Sequence, residues 1–137
     1  MSGKIEYNLK YMTKINQIYK CEVCGNIVEM VHVGQGELVC CGQPMNLLSE
    51  KQEEEGQEKH VPVVEKIDKG VIIKIGSIPH PMTEDHFIEW VELITEDGFV
   101  FRKFLKPSDE PQAEFFLDKK IKQVRIYCNI HRLWSNK

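Results

Sequence analysis

Five cysteines and five histidines are the residues of this 137-residue chain best suited to bind metals. Four of the cysteines form two close pairs, Cys21 with Cys24 and the adjacent Cys40 with Cys41. A glycine follows each pair, so four thiolates can meet on two tight turns and form a tetrahedral site for zinc or iron. The spacing alone does not separate these two metals. The alternatives are disulfides or unrelated buried cysteines, but an odd cysteine count and clustered cysteines in a reducing compartment favour a metal.

A second group of candidate ligands lies nearer the C-terminus, each at a predicted strand end or in a loop. His80 stands between two prolines, His86 opens a predicted strand, and His131 follows Cys128 by three residues. Loops at one rim of a sandwich commonly gather functional residues, and imidazoles with one thiolate suit iron, copper or zinc. We therefore predict a second metal site from His60, His80, His86, Cys128 and His131. His32 lies in the cysteine segment, and we expect it to be an ordinary surface residue.

The elements that must position this second group are short strands rich in β-branched and aromatic residues. They are predicted at 61–67, 71–76, 87–95, 99–105, 114–117 and 121–128, with turn residues between them. Two of the segments approach the period-two alternation of a half-buried strand. The fold class is therefore all-β, with a small metal module followed by an immunoglobulin-like antiparallel β-sandwich.

Four segments follow from this pattern. Residues 1–18 form an N-terminal extension, in which Met12 is an alternative start. Residues 19–48 form the cysteine module, with a hairpin predicted between 27–33 and 37–39. This module is too small to form a core alone and needs a metal or a partner to fold. Residues 49–59 are a charged linker, and residues 60–137 form the sandwich.

Composition excludes several other classes of protein. The formal net charge is −3 and the isoelectric point is near 6.0, whereas a nucleic-acid-binding module would show a basic excess. The N-terminus lacks the features of a secretory leader, and no apolar run approaches the ~18 residues of a membrane span. We therefore expect a cytoplasmic protein that binds neither nucleic acid nor membranes.

The sequence resembles a known family in five separate motifs. CEVCGN at 21–26 together with CCG at 40–42 is similar to the desulforedoxin module. EKHVP at 58–62, HPM at 80–82, HFIEW at 86–90 and YCNIH at 127–131 are similar to superoxide reductases. In this order, from about residue 19 to the C-terminus, they resemble desulfoferrodoxin, the two-iron form of superoxide reductase.

This resemblance implies the ligands and the reaction. It implies one iron at the four cysteines and a second iron with His60, His80, His86 and His131 in a plane and Cys128 as the axial thiolate. By analogy His131 binds through Nδ1 and the other three histidines through Nε2. The implied activity is one-electron reduction of superoxide to hydrogen peroxide without release of dioxygen. The implied partners are a rubredoxin-like electron donor and a second copy of the chain in a homodimer.

Two residues beside His60 acquire roles through the same resemblance. Because the net charge is negative, the attraction of anionic superoxide must be local, and Lys59 is the candidate residue for it and for delivery of a proton through water. Glu58 is expected to occupy the open position of the oxidised iron and to leave on reduction. Without the resemblance, both residues would be assigned to the solvated linker.

Two other functions stay open from the residues alone. One is a non-catalytic electron-transfer or metal-storage protein with a structural His/Cys site. The other is an immunoglobulin-like interaction module with a zinc ribbon.

Overall fold

The computed structural model describes residues 12–53 and 59–137 of the chain. These ranges contain twelve β-strands and no helix. The prediction of an all-β chain is confirmed. No helix that could cross a membrane occurs within these described ranges. The chain divides into two compact units, Met1–Leu48 and Ser49–Lys137. The segment boundaries drawn from the sequence remain predictions.

The first unit is built from five very short strands. β1 (Ile18–Lys20) lies between β2 (Ile27–Glu29) and β5 (Asn46–Leu47), with both pairings antiparallel. β3 (Val39–Cys40) pairs with β4 (Gln43–Pro44) around the second cysteine turn. Strands of two or three residues bury little apolar surface, which is the basis for expecting that this unit needs a metal or a partner to fold.

The hairpin predicted between 27–33 and 37–39 does not form, and that prediction was wrong. β2 pairs with β1 instead, and the hydrogen bonds continue beyond it from Met30 N–H to the Gln17 carbonyl and from Asn16 N–H to the Met30 carbonyl, both at 2.9 Å. Thr13 is 6% exposed and bonds to Gly34 through its backbone and its hydroxyl. Residues 13–18, which we expected in the extension, thus supply the backbone partners of the module.

The second unit consists of two antiparallel sheets. One has the order β10-β7-β6, from Gln112–Phe116, Gly70–Ile75 and Pro62–Ile67. The other has the order β12-β11-β8-β9, from Arg132–Ser135, Ile121–Cys128, Ile88–Thr95 and Val100–Phe104. Both sheets contribute to one core that includes Ile73, Ile75, Val91, Leu93 and Ile126, each at most 1% exposed.

A buried ion pair crosses the larger sheet of this unit. Glu92 on β8 and Arg125 on β11 are at most 1% exposed, and Arg125 Nε donates to Glu92 Oε1 at 2.8 Å. Arg102 on β9 also bonds to Glu92, and Arg125 NH1 lies 3.1 Å from Glu50 Oε1. Removing one partner of such a buried ion pair destabilises the fold by more than the intact pair stabilises it, because the remaining charge stays buried without its counterion. Glu50, which we assigned to the linker, therefore forms an ion pair with Arg125 of this sheet.

Candidate metal centres

The four clustered cysteines bring their sulfur atoms together in the first unit. Cys24 Sγ lies 3.5 Å from Cys40 Sγ, and Cys40 Sγ lies 3.9 Å from Cys41 Sγ. All four sulfurs lie within 4.8 Å of one another, and none is in a disulfide. Bonds of about 2.3 Å to a tetrahedral metal place neighbouring sulfurs about 3.8 Å apart, so the observed spacings fit a single metal ion.

Left-handed backbone conformations make this convergence possible. Cys41 has a φ of 54° and Gly42 a φ of 74°, so the chain turns sharply enough for two adjacent cysteines to aim at one point. At the first pair, Gly25 has a φ of 83° and its N–H donates to the Cys21 carbonyl at 2.9 Å. Glycine takes such a conformation at no steric cost, whereas Cys41 is strained by it.

The pKa values of Cys21 and Cys40 shift in opposite directions. The Cys24 backbone N–H donates to Cys21 Sγ at 3.5 Å and is the main reason that the pKa of Cys21 falls to about 7. Hydrogen bonding to the Cys24 sulfur, with further contacts to Cys21 and Cys41, raises the pKa of Cys40 to about 12. Crowded sulfurs of this kind share protons until a metal neutralises their charge, so the donor set fits a cation.

In the second unit, four imidazole rings form a square. Neighbouring ring centroids are 4.5 Å apart for His60–His80, 4.7 Å for His80–His86, 5.1 Å for His86–His131 and 4.7 Å for His60–His131. The His60–His86 separation is 6.5 Å, which is close to the diagonal of a square with such sides. His60 and His86 are thus opposite corners, as are His80 and His131.

The Cys128 sulfur lies beside this square. It is 3.7 Å from His80 Nε2 and 3.8 Å from His131 Nδ1, so it is almost equally far from two opposite corners. The residue is 0% exposed at the end of β11. The His131 backbone N–H lies 3.4 Å from the sulfur and donates to it, which favours the thiolate.

The tautomer of His80 follows from its loop. His80 Nδ1 lies 2.7 Å from the Pro81 carbonyl, which can only accept, so Nδ1 carries the proton and Nε2 offers its lone pair. That Nε2 lies 2.9 Å from His60 Nε2. Two nitrogens bound at about 2.1 Å and at right angles to one metal would be about 3 Å apart, so this spacing fits a shared metal.

Burial and neighbouring basic side chains keep His60 neutral, the form in which an imidazole can bind a metal. The side chain is 1% exposed, and desolvation, followed by the nearby imidazoles and Lys51, lowers its pKa to about 3. Its ring stacks on Trp134 with centroids 4.5 Å apart and planes 12° from parallel. Trp134 Nε1 also donates to the His131 carbonyl at 2.9 Å. One tryptophan therefore contacts two corners of the square, a role that the sequence did not indicate.

The remaining candidates have different placements. Lys59 is half-buried and directly precedes His60. Its backbone passes so close to Gly76 that an added Cβ there would lie 2.5 Å from the Lys59 carbonyl oxygen. Glu58 lies outside the described residues. His32 is exposed and belongs to neither cluster.

Fold and donor sets together define a class of protein, an all-β chain with a four-cysteine centre in a small module and a four-histidine, one-cysteine centre in a sandwich. Comparison with known sequences agrees with this class. The family model described as desulfoferrodoxin matches residues 52–137, and the model of the desulfoferrodoxin N-terminal domain matches residues 13–48. The chain belongs to the desulfoferrodoxin family. Its two donor sets match the two iron centres of that family.

Individual relatives span most of the chain. A desulfoferrodoxin homolog of Archaeoglobus fulgidus is 58% identical over 91% of this chain and 99% of its own length. A superoxide reductase of Pyrococcus abyssi is 40% identical over 58% of this chain and 84% of its own. Among solved structures, the superoxide reductase from Treponema pallidum superposes with a TM-score of 0.71 at 26% identity, covering 88% of this chain and 97% of the other.

Proposed function

We propose that this chain is a superoxide reductase. It consumes one superoxide, one electron from a donor and two protons, and it releases one hydrogen peroxide and no dioxygen. The observation that supports this most directly is the square of four imidazoles with one buried sulfur almost equally far from two opposite corners. Five ligands of this kind leave one position for a small substrate. Relatives and a structural neighbour that are named superoxide reductases support the same reaction.

The chain's own residues prepare the site for this chemistry. His60, His80, His86, His131 and Cys128 would hold an iron ion that supplies one-electron oxidation and reduction, and the thiolate of Cys128 would raise its electron density. The His131 N–H bond to Cys128 Sγ draws charge from the sulfur and so moderates that donation. The Pro81 carbonyl and the Trp134 indole hold the His80 and His60 rings in place.

We assign the capture of superoxide to Lys59 and the sixth position of the resting oxidised iron to Glu58. The support for Lys59 is its place directly before His60, and its positive charge beside the site in a chain whose net charge is −3. Lys59→Ala should slow the second-order reaction with superoxide roughly tenfold and leave the iron content unchanged. Lys66→Ala, which removes an exposed lysine from β6, is the charge-matched control. Equal rates for the two variants in a pulse experiment would exclude this role for Lys59.

The electron that restores the ferrous site comes from a rubredoxin-like donor in this proposal. A four-thiolate iron in the first unit suits electron transfer, because its ligands stay the same in both oxidation states. None of the five cysteines is in a disulfide, which suits a reducing compartment, so we place the protein in the cytoplasm.

A homodimer is the assembly we propose, formed through the first unit. This small unit exposes Val31 at 87%, Val39 at 60%, Val23 at 58% and Ile15 at 52%. Such a fraction of exposed apolar side chains in so small a module favours burial against a second copy. Light scattering on the iron-loaded chain measures the mass, and a single-chain mass would exclude the dimer.

The proposed function is tested by measuring how many electrons a reduced donor loses for each superoxide consumed. A reductase consumes one electron from a reduced donor for each superoxide, whereas a dismutase consumes none. Metal analysis of the same sample distinguishes the rival functions, since two irons per chain fit the reductase and two zincs fit an interaction module. Superoxide turnover that leaves the donor reduced would refute the proposal, and so would an iron-loaded chain without any turnover.

A further inference from the structure

Asn129 forms hydrogen bonds on both sides of one candidate ligand, His86. The Phe87 N–H donates to Asn129 Oδ1 at 2.9 Å, and Asn129 Nδ2 donates to the Asp85 carbonyl at 3.0 Å. The backbone N–H of Asn129 also donates to the Phe87 carbonyl at 3.2 Å. Asn129 thereby bonds to the residue before His86 and to the residue after it, although it follows His86 by more than forty positions.

The sheet itself gives His86 little support. The pairing of β8 with β11 shifts register between Tyr127 and Cys128, and its last pair joins Cys128 to Ile88. His86 therefore lies beyond the end of the ladder. Locally, its backbone bonds to an exposed turn, with Thr83 N–H donating to the His86 carbonyl at 2.9 Å and His86 N–H donating to the Thr83 carbonyl at 3.2 Å.

The place of Asn129 in the chain makes its bonds a link between ligands. Asn129 lies between Cys128 and His131, so the turn that presents the Cys128 sulfur and one corner of the square also holds a third ligand. His86 is a half-buried corner, opposite the fully buried His60. A half-buried ring has fewer packing contacts to fix it, so its position depends more on the backbone.

We propose that Asn129 is a positioning residue that holds His86 at its corner of the metal site. This inference rests on the proposed function insofar as the square of imidazoles is a metal centre. Outer residues that orient metal ligands typically change metal affinity by about 10- to 100-fold when they are removed. Asn129 acts on the backbone rather than on the ring, so we expect the lower end of that range, about tenfold.

The chain offers a closely matched control at Asn136. The Val124 N–H donates to Asn136 Oδ1 at 2.8 Å, and Asn136 N–H donates to the Val124 carbonyl at 3.1 Å. Both asparagines are half-buried, and each Oδ1 accepts a backbone N–H, from Phe87 directly before β8 and from Val124 on β11. Asn136 contacts neither of the two residues that flank His86. Alanine at either position therefore removes an acceptor of a backbone N–H, and at Asn129 it also removes the Nδ2 donor to the Asp85 carbonyl. Only Asn129 is next to a candidate ligand.

The test compares Asn129→Ala with Asn136→Ala in the full chain loaded with iron at both centres. Release of ferric iron to a chelator is followed by electron paramagnetic resonance, which separates a four-thiolate iron from an imidazole–thiolate iron. The four-thiolate iron in the same sample is the internal reference. We expect Asn129→Ala to lose the second iron about tenfold faster than Asn136→Ala and to broaden the signal of that iron. The four-thiolate signal should be unchanged in both variants.

Equal release rates and equal signals in the two alanine variants would overturn the inference. If Asn129→Ala does not fold, Asn129→Asp and Asn136→Asp are compared instead, because aspartate keeps the acceptor oxygen and loses the donor. Faster release from Asn129→Asp is then expected, and equal release overturns the inference. No superoxide is used in these measurements. A chain that binds iron but does not reduce superoxide would refute the proposed function and leave this inference standing.

Discussion

Replacing Gly76 by alanine should displace Lys59 and thereby slow the reaction with superoxide. Gly76 has a φ of 76°, and a Cβ built there would lie 2.5 Å from the Lys59 carbonyl oxygen and 2.6 Å from Lys59 Cβ. Two of the three closest atoms belong to the backbone, so rotation of a side chain cannot relieve the overlap. The Lys59 peptide must move by roughly 0.5–1 Å to restore a normal contact.

Gly76→Ala should have two measurable effects, a loss of folding stability and a slower reaction with superoxide. Alanine in the left-handed region costs roughly 1–2 kcal/mol of folding free energy, and overpacking against a backbone adds roughly 1–3 kcal/mol. Displacement by about 1 Å can cost up to about 100-fold in rate when positioning matters. We therefore expect Gly76→Ala to lose about 2–5 kcal/mol of stability and to react with superoxide about 10- to 100-fold more slowly.

Gly98→Ala separates strain from overlap. Gly98 has a φ of 95°, yet a Cβ there would meet no atom within 4 Å, so this variant has the backbone strain alone. The assays are denaturant unfolding of the metal-free chains and the second-order rate of the reduced, iron-loaded chains after a superoxide pulse. If Gly76→Ala matches Gly98→Ala in both assays, Lys59 does not depend on the space that Gly76 leaves.

Three further variants test other parts of the structure. Cys128→Ser should abolish the thiolate-to-iron absorption of the oxidised second site, and persistence of that band would show that Cys128 is not a ligand. Cys21→Ser should lose the first iron and keep superoxide turnover from a chemical reductant, so loss of turnover would contradict the independence of the second centre. The free energy of unfolding of the metal-free protein should fall by up to about 1.4 kcal/mol for each unit by which the pH is lowered from 6.5 to 3. The reason is that His60 takes up a proton in the unfolded chain, whereas folded His60, with its pKa of about 3, stays neutral. His60→Gln should flatten that slope, and an unchanged slope would exclude His60 as its source.

The ligands were predictable from the sequence because their residue types are rare and their motifs are local. Cys21 and Cys24 share one turn, and Cys128 and His131 share another, so the spacing alone places each pair together. Six strands of the sandwich were also visible, since each is a short apolar run between turn residues. The fold class and the donor sets of both centres were therefore accessible before any coordinates.

What the sequence did not indicate depends on pairing between distant segments. Strand β12 follows the Cys128 turn directly and begins at Arg132, which has a φ of 67°, and its four residues are too few to show a period. The partner of β2 proved to be β1, because residues 16–20 satisfy its backbone groups, and no local pattern encodes that choice. Trp134 and Asn129 act through contacts formed only when β11, β12 and the His86 loop meet.

The most direct test of superoxide reduction is the product yield from the fully reduced, iron-loaded chain in a single pulse of superoxide. We predict one hydrogen peroxide for each superoxide consumed, with no dioxygen released. Dismutation would instead give half a peroxide and half a dioxygen for each superoxide. A peroxide yield near one half, with matching dioxygen, would contradict the assignment of this chain as a reductase.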